Sequence, residues 1–169
     1  YAFDHGLRTD YMAFAGRFED ADWVTSTGYF SGHFARDWLG LTATGALAHL
    51  RFGEFHRLEN GRAVESYIFL DLVELMIACG QYPSGECPGR DRGHTGYLPG
   101  PATCDGLIWG TPDPARSASS YQMVTDMLAG LATKDEAWRP YWHEHMTWYG
   151  PAGFGAFIGL DNFTGFQVP

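Results

Sequence analysis

The sequence predicts an α+β protein in which strands come first and helices follow a Gly/Pro-rich linker. Three observations carry this. Residues 10–18, 22–34, 44–58 and 62–71 alternate or cluster β-branched, aromatic and polar side chains with the period of two of a half-buried strand. Asn60-Gly61 separates the last two runs, and both residues tolerate the positive φ of a type I′ hairpin turn. Beyond Asp113-Pro114 the apolar residues recur instead at helical spacing.

Taken in order, the first strand carries Met12, Phe14 and Phe18 and ends at the acidic turn Glu19-Asp20. The second, Asp22 to Phe34, puts Trp23, Thr25, Thr27, Tyr29, Ser31 and His33 on its odd positions. Gly28 and Gly32 on its even positions predict strong curvature or close packing. Asp37 to Thr44 is a connecting loop. In the hairpin a two-residue turn pairs Glu59 with Arg62 and His56 with Glu65, so that Glu54 faces Tyr67, Phe52 faces Phe69 and Leu50 faces Asp71. One face then collects Glu54, His56, Glu65, Tyr67, Phe69 and Asp71 as an aromatic wall with acids. Val64, Ser66, Ile68 and Leu70 form the other, expected to be core, and Gly53 marks a place where a bulge would shift the register.

Leu72 to Ile77 reads as a short helical turn capping the sheet and ending at Gly80. Residues 83–114 are rich in Gly and Pro and read as a linker. Asp113 is an N-cap with proline behind it, opening a helix whose stripe is Tyr121, Val124, Leu128 and Leu131 and whose end Gly130 weakens. A second helix is expected near Asp135, presenting Trp138, Tyr141 and Trp142, with Pro140 tolerated only by a late start or a kink. Met146 to Tyr149 and Phe157-Ile158 read as short strands, and Asp161 as the cap of a last helix with Phe163 and Phe166.

The totals narrow the function. The 169 residues are 45% hydrophobic and 16% aromatic, which is a globular composition, and the net charge of -9 argues against a nucleic-acid or anionic-membrane partner. No apolar run is long enough to span a bilayer and Tyr1 does not open a signal peptide, so a cytoplasmic protein is expected. The lack of an initiator methionine and the stop at Pro169 suggest a piece of something longer. Cys79, Cys87 and Cys104 lack metal-like spacing and read as reduced thiols, with a bridge between Cys87 and Cys104 as the alternative.

Gly32-His33, Trp38-Leu39-Gly40-Leu41 and Ala43-Thr44-Gly45, then Phe55-His56-Arg57, Asn60-Gly61, Val64-Glu65 and Asp71-Leu72, and finally Trp148 to Gly153, Gly159 and Phe163 follow one another in a characteristic order. In that order the chain resembles the SnoaL-like polyketide cyclases of the NTF2-like superfamily. The resemblance implies a curved antiparallel sheet wrapped by helices into a cone. The family's order of halves is inverted here: residues 1–82 resemble the second half of one cone and residues 115–169 the first half of the next. Two accounts fit, an internal stretch of a tandem two-domain protein or a single permuted cone. An unfinished sheet would expose its apolar face, so a homodimer or self-paired tandem domains are expected.

The resemblance further implies a small-molecule substrate closed by an intramolecular aldol step, with a carboxylate as base and neither metal nor cofactor. The position that resembles the family's acid/base aspartate is Asp71. The residues agree in kind, since an aspartate beside Tyr67 and Phe69 on a cavity wall is poorly solvated and its pKa would rise towards that of a general base. The plain alternative is that Asp71 caps the turn at Leu72. His56 resembles a pocket histidine of the family and is the expected helper, against the alternative of an exposed pair with Glu65. His33, Tyr29, Glu65, Tyr67, Phe69 and Trp23 are the candidate substrate-binding residues, although aromatic wall residues are more often packing alone. His143-Glu144-His145 supplies only two evident ligands, and the glycines at 150, 153 and 155 lack a following Lys-Ser/Thr, so neither a metal site nor a phosphate loop is indicated. A non-catalytic ligand-binding or dimerisation module is the alternative to an enzyme.

Overall fold

The computed structural model describes residues 2–82, 110–111, 113–133 and 136–167. The greater part of the linker read from the sequence, with Cys87 and Cys104, lies outside the described residues. The chain divides into two compact units, residues 1–110 with 151–154, and residues 111–150 with 155–169.

The first unit is a four-stranded antiparallel sheet with one helix. Strands β1 (Phe3–Phe18), β2 (Ala21–Phe34), β3 (Leu47–Glu59) and β4 (Arg62–Leu70) lie side by side in chain order, and helix α1 (Leu72–Ala78) follows. Asn60 and Gly61 both have positive φ, 51° and 72°, as the hairpin turn requires. Glu19 and Asp20, at 48° and 63°, turn β1 into β2 in the same way.

β1 runs further than the alternation suggested, because two irregularities interrupt it, between Asp4 and Leu7 and between Asp10 and Met12. Each sits near a glycine of β2. At Gly28 a Cβ would stand 1.9 Å from the Thr9 carbonyl oxygen, so only glycine admits the close approach of β1. The close packing expected at Gly28 and Gly32 is found there.

The hairpin register differs from the expected one beyond its first pair. Glu59 does face Arg62, but His56 faces Ser66, Glu54 faces Ile68 and Phe52 faces Leu70. Val64 is an extra residue in β4, between Ala63 opposite Leu58 and Glu65 opposite Arg57. The strand gains by this bulge: Arg57 Nε donates to Glu65 Oε2 at 2.8 Å, and Leu70 comes to the core side beside Phe52. β3 passes Gly53 without irregularity, so the bulge lies in the partner strand.

The sheet therefore has an even face, named for β2 and β3, with Phe30, Phe34, Ala48, Leu50, Phe52, Glu54 and His56. Its odd face holds Trp23, Tyr29, His33 and Arg51, joined by Glu65, Tyr67 and Phe69 of β4. Phe34, Leu41, Ala48, Leu50 and α1's Leu75 make the core, with Phe3, Phe30, Trp38 and Leu70 packed against it. Val64 and Ile68, expected in the core, are exposed, because α1 covers only the Leu70 end of this edge strand. Cys79, at the end of α1, is a free thiol. The 37–44 loop turns at Leu39-Gly40 and is held by Gln81, whose side chain bonds both the N–H and the carbonyl of Thr42 at 2.9 Å.

In the second unit, α2 (Pro114–Leu131) begins as expected: the Asp113 side chain accepts from the Ala115 and Arg116 N–H groups, with proline at the first turn. Only the last residue of the expected stripe is used. Leu131 packs with Met127 against a core of Trp138, Met146, Phe157, Leu160 and Phe163, while Tyr121, Val124 and Leu128 are exposed. Gly130 does more than weaken the helix end, since a Cβ there would lie 2.7 Å from the Trp138 nitrogen. In place of the second helix there is a single 3₁₀ turn, Arg139–Tyr141, because Pro140 removes one N–H and blocks the preceding turn. β5 (Thr147–Trp148) pairs with β6 (Phe157–Ile158), and α3 (Leu160–Gln167) starts one residue early, so that Asp161 lies in its first turn and pairs with Arg139.

Candidate functional site

On the even face a groove of ≈ 1210 Å³ opens over Phe3, Phe30, Leu50 and Leu70. Trp38 reaches it from the 37–44 loop, and Arg36 and Asp37 stand at its rim. Its β1 wall runs from Asp4 to Arg8, the stretch displaced by the first irregularity. Residues that read as plain loop and strand edge thus combine into an apolar trough with charged margins, the usual chemistry of a small-molecule pocket.

Arg8 ends that wall and organises a polar cluster. Its guanidinium lies 4.4 Å from the Phe52 ring centroid and bonds Asp10 at 2.8 Å, Ser26 Oγ at 2.9 Å and Glu54. Ser26 in turn donates to Glu54 at 2.9 Å. His56 comes next on the same face, with Nε2 3.5 Å from Glu54 Oε2 and Nδ1 2.8 Å from Ser66 Oγ. Burial pushes the Glu54 carboxyl up, but the bonds from Arg8 and Ser26 and the charges of Arg8 and His56 outweigh it and hold Glu54 below the usual carboxylate range. The cluster therefore offers a fixed carboxylate beside an imidazole.

A second cluster lies where β4 ends. Glu74 Oε2 accepts the Arg51 N–H at 3.1 Å, the backbone donor that β4 no longer reaches. Arg51 Nε and Nη2 donate to the Tyr29 hydroxyl at 3.1 and 2.9 Å. His49 packs edge-on to Tyr29, and its Nδ1 lies 2.8 Å from Ser31 Oγ. Burial pushes Glu74 up to about 7, with Asp71 adding to the rise and Arg51 and Tyr29 opposing it.

The expected site residues do not converge. Asp71 leaves the wall of Tyr67 and Phe69 and becomes the N-cap of α1, its Oδ1 accepting from Glu74 N at 3.2 Å and its Oδ2 from Ala152 N at 2.7 Å. The reason is the end of β4 at Leu70, which hands the next residue to the helix. His56 is on the even face with Glu54, whereas Trp23, Tyr29, His33, Glu65, Tyr67 and Phe69 are all on the odd face. There Trp23 stacks on Tyr67 at 6.2 Å, and Tyr67 donates to Glu65. Tyr29 is buried, and His33 is exposed near His5, away from both. One added residue in β4 accounts for the separation of His56 from Glu65.

Arg8, Glu54 and Glu74 are the residues that sequence reasoning did not assign. Arg8 precedes the alternating run, and nothing local announces its partner 46 residues on. Glu74 did carry a signal: Asp71-Leu72-Val73-Glu74 has the spacing of a capping box, and an acid between Val73 and Leu75 interrupts an apolar run. In the structure Glu74 goes to Arg51 instead of back to the cap.

Among the described residues no group of three or more His, Cys, Asp or Glu side chains is placed to hold a metal ion, and His143 and His145 are exposed. No helix among them is long and apolar enough to cross a membrane. No family model matches the chain. No curated protein matches it either. Among solved structures, the chain is similar to AclR of Streptomyces galilaeus, described as a candidate hydroxylase, at 19% identity and a TM-score of 0.43. The match covers 49% of this chain and 53% of that one, so the chain spans about half the length of the solved structure.

Proposed function

We propose that this is a SnoaL-like chain of the NTF2-like superfamily whose sheet curves into a cone around a small, mostly apolar, oxygenated molecule. Its activity is cofactor-free acid/base chemistry, an intramolecular aldol closure or a related isomerisation or dehydration. The observation that carries the reading is the even-face groove, with an apolar floor and a β1 wall ending in Arg8, whose guanidinium bonds Ser26 and Glu54 next to His56 on the same face. In this reading His56 takes the base role: its imidazole accepts a proton from a carbon next to a carbonyl, and the Glu54 carboxylate, 3.5 Å from Nε2, stabilises the imidazolium. Arg8 faces the oxygen on which the negative charge gathers, and the imidazolium returns its proton to the new alkoxide. Asp71, with both oxygens on backbone N–H groups, then holds α1 in place.

That same engagement of Asp71 favours the second reading, a ligand-binding module without turnover. A panel of small, apolar 1,3-dicarbonyl compounds separates the two in deuterated buffer. Catalysis predicts protein-dependent deuterium uptake at the acidic carbon, read by NMR, that falls about 10²-fold in His56→Gln while the ligand still quenches tryptophan fluorescence. Quenching without uptake assigns the binding module, and an absence of quenching across the panel overturns the assignment of the groove to such dicarbonyl ligands.

A further inference from the structure

The two edges of the sheet are not alike. β1 is broken by two irregularities and carries Arg8, Asp10 and Arg17. Such features blunt an edge against pairing. β4 is regular from Glu65 to Leu70, holds no proline or lysine, and has β3 as its one hydrogen-bonded neighbour among the described residues. Both of its faces are apolar and exposed, with Val64 at 48% and Ile68 at 58% on one side and Tyr67 at 49% and Phe69 at 62% on the other.

The outward groups follow from the pairing. Asp71 N donates to the Arg51 carbonyl at 2.9 Å, which fixes the alternation: Glu65, Tyr67 and Phe69 bond inward to β3, while Ser66, Ile68 and Leu70 turn their N–H and C=O outward. Read outward from Ser66, the midpoint of Arg62–Leu70, the strand complements itself. Antiparallel to a copy of itself, Val64 meets Ile68, Glu65 meets Tyr67 and Ser66 meets Ser66, with no like charges directly opposed. Glu65 is already neutralised by Arg57, and Tyr67 already donates to a Glu65 carboxylate within one chain.

We propose that β4 pairs antiparallel with β4 of a second copy of this chain about a two-fold axis at Ser66, joining two four-stranded sheets into one continuous sheet. The contact is isologous and closes on itself, so it ends at a dimer. It uses the edge and leaves the even-face groove open.

Sedimentation equilibrium of the full chain, together with residue-resolved amide exchange, tests this. The expected result is a dimer in which the Ser66 and Ile68 amides are protected and lose that protection on dilution, while Glu65 and Tyr67 keep theirs. Ile68→Lys, which places a charge opposite Val64 of the other copy, should raise the dissociation constant at least about tenfold. A chain that stays monomeric over the accessible concentrations overturns the proposal. So does a dimer whose Ser66 and Ile68 amides exchange freely, a reading that needs only the wild-type protein and stands even if the variant misfolds.

Discussion

Glu54 and Glu74 are both buried, at 8% and 2% exposure, and both belong to the same sheet unit, yet their surroundings drive them in opposite directions. Glu54 meets a guanidinium and a hydroxyl and stays ionised below its ordinary range. Glu74 meets one backbone N–H, a tyrosine hydroxyl and Arg51, whose guanidinium is shared with that same tyrosine, and is pushed up to about 7. Burial alone does not set a carboxylate's state. What decides is whether the charged form finds donors enough to replace water.

The largest expected effect breaks the comparison at Glu74. Its carboxyl binds a proton more tightly folded than unfolded, so its contribution is full below pH 4.5 and is lost as pH rises to about 7. Across that window, at about 1.4 kcal/mol per pH unit, the loss amounts to about 3 kcal/mol. Urea midpoints measured from pH 4 to pH 8 should decline for the wild type and flatten in Glu74→Gln.

Glu54 should do the reverse. Its stabilisation is present above pH 4.5 and is lost as pH falls through its depressed value. Glu54→Gln is expected to lose about 2 kcal/mol at pH 7 and little at an acid pH below the depressed value of the wild-type carboxyl, where both proteins present a neutral group to Arg8. Equal losses at the two pH values would mean that the Arg8 bond contributes through packing and not through charge.

Asp71→Ala should cost about 1 kcal/mol in thermal or urea unfolding, the loss of an N-cap, and Asp71→Asn less, because asparagine caps as well. A cap variant that also raised the Glu74 pH midpoint would contradict the contribution of the Asp71 charge, whose removal should lower it. His56→Gln should change stability least, by about 0.5 kcal/mol, since its bond to Ser66 is exposed. Its effect belongs to the exchange reaction.

Much of the fold was legible because the rules that build it act over a few residues. Asn60-Gly61 made its turn, Asp113-Pro114 opened α2, and the runs of alternating side chains became β1 to β4. The site was legible only in pieces. Tyr67 and His56 were picked out, but for a shared wall that one bulge at Val64 divides between two faces. Pro140 was seen as a limit on a helix, and it reduced that helix to a single turn.

Local chemistry thus settled the turns, the caps, the strand-first order and the glycine approach at Gly28, because each depends on sterics and hydrogen bonds within one or two neighbouring segments. The register of β4, the face on which each acid lies and the charge of Glu54 and Glu74 were settled by folding as a whole. They depend on partners distant in sequence, Arg8 for Glu54 and Arg51 for Glu74, and on how completely water is excluded around them. No pattern in either glutamate's own neighbourhood contains that information.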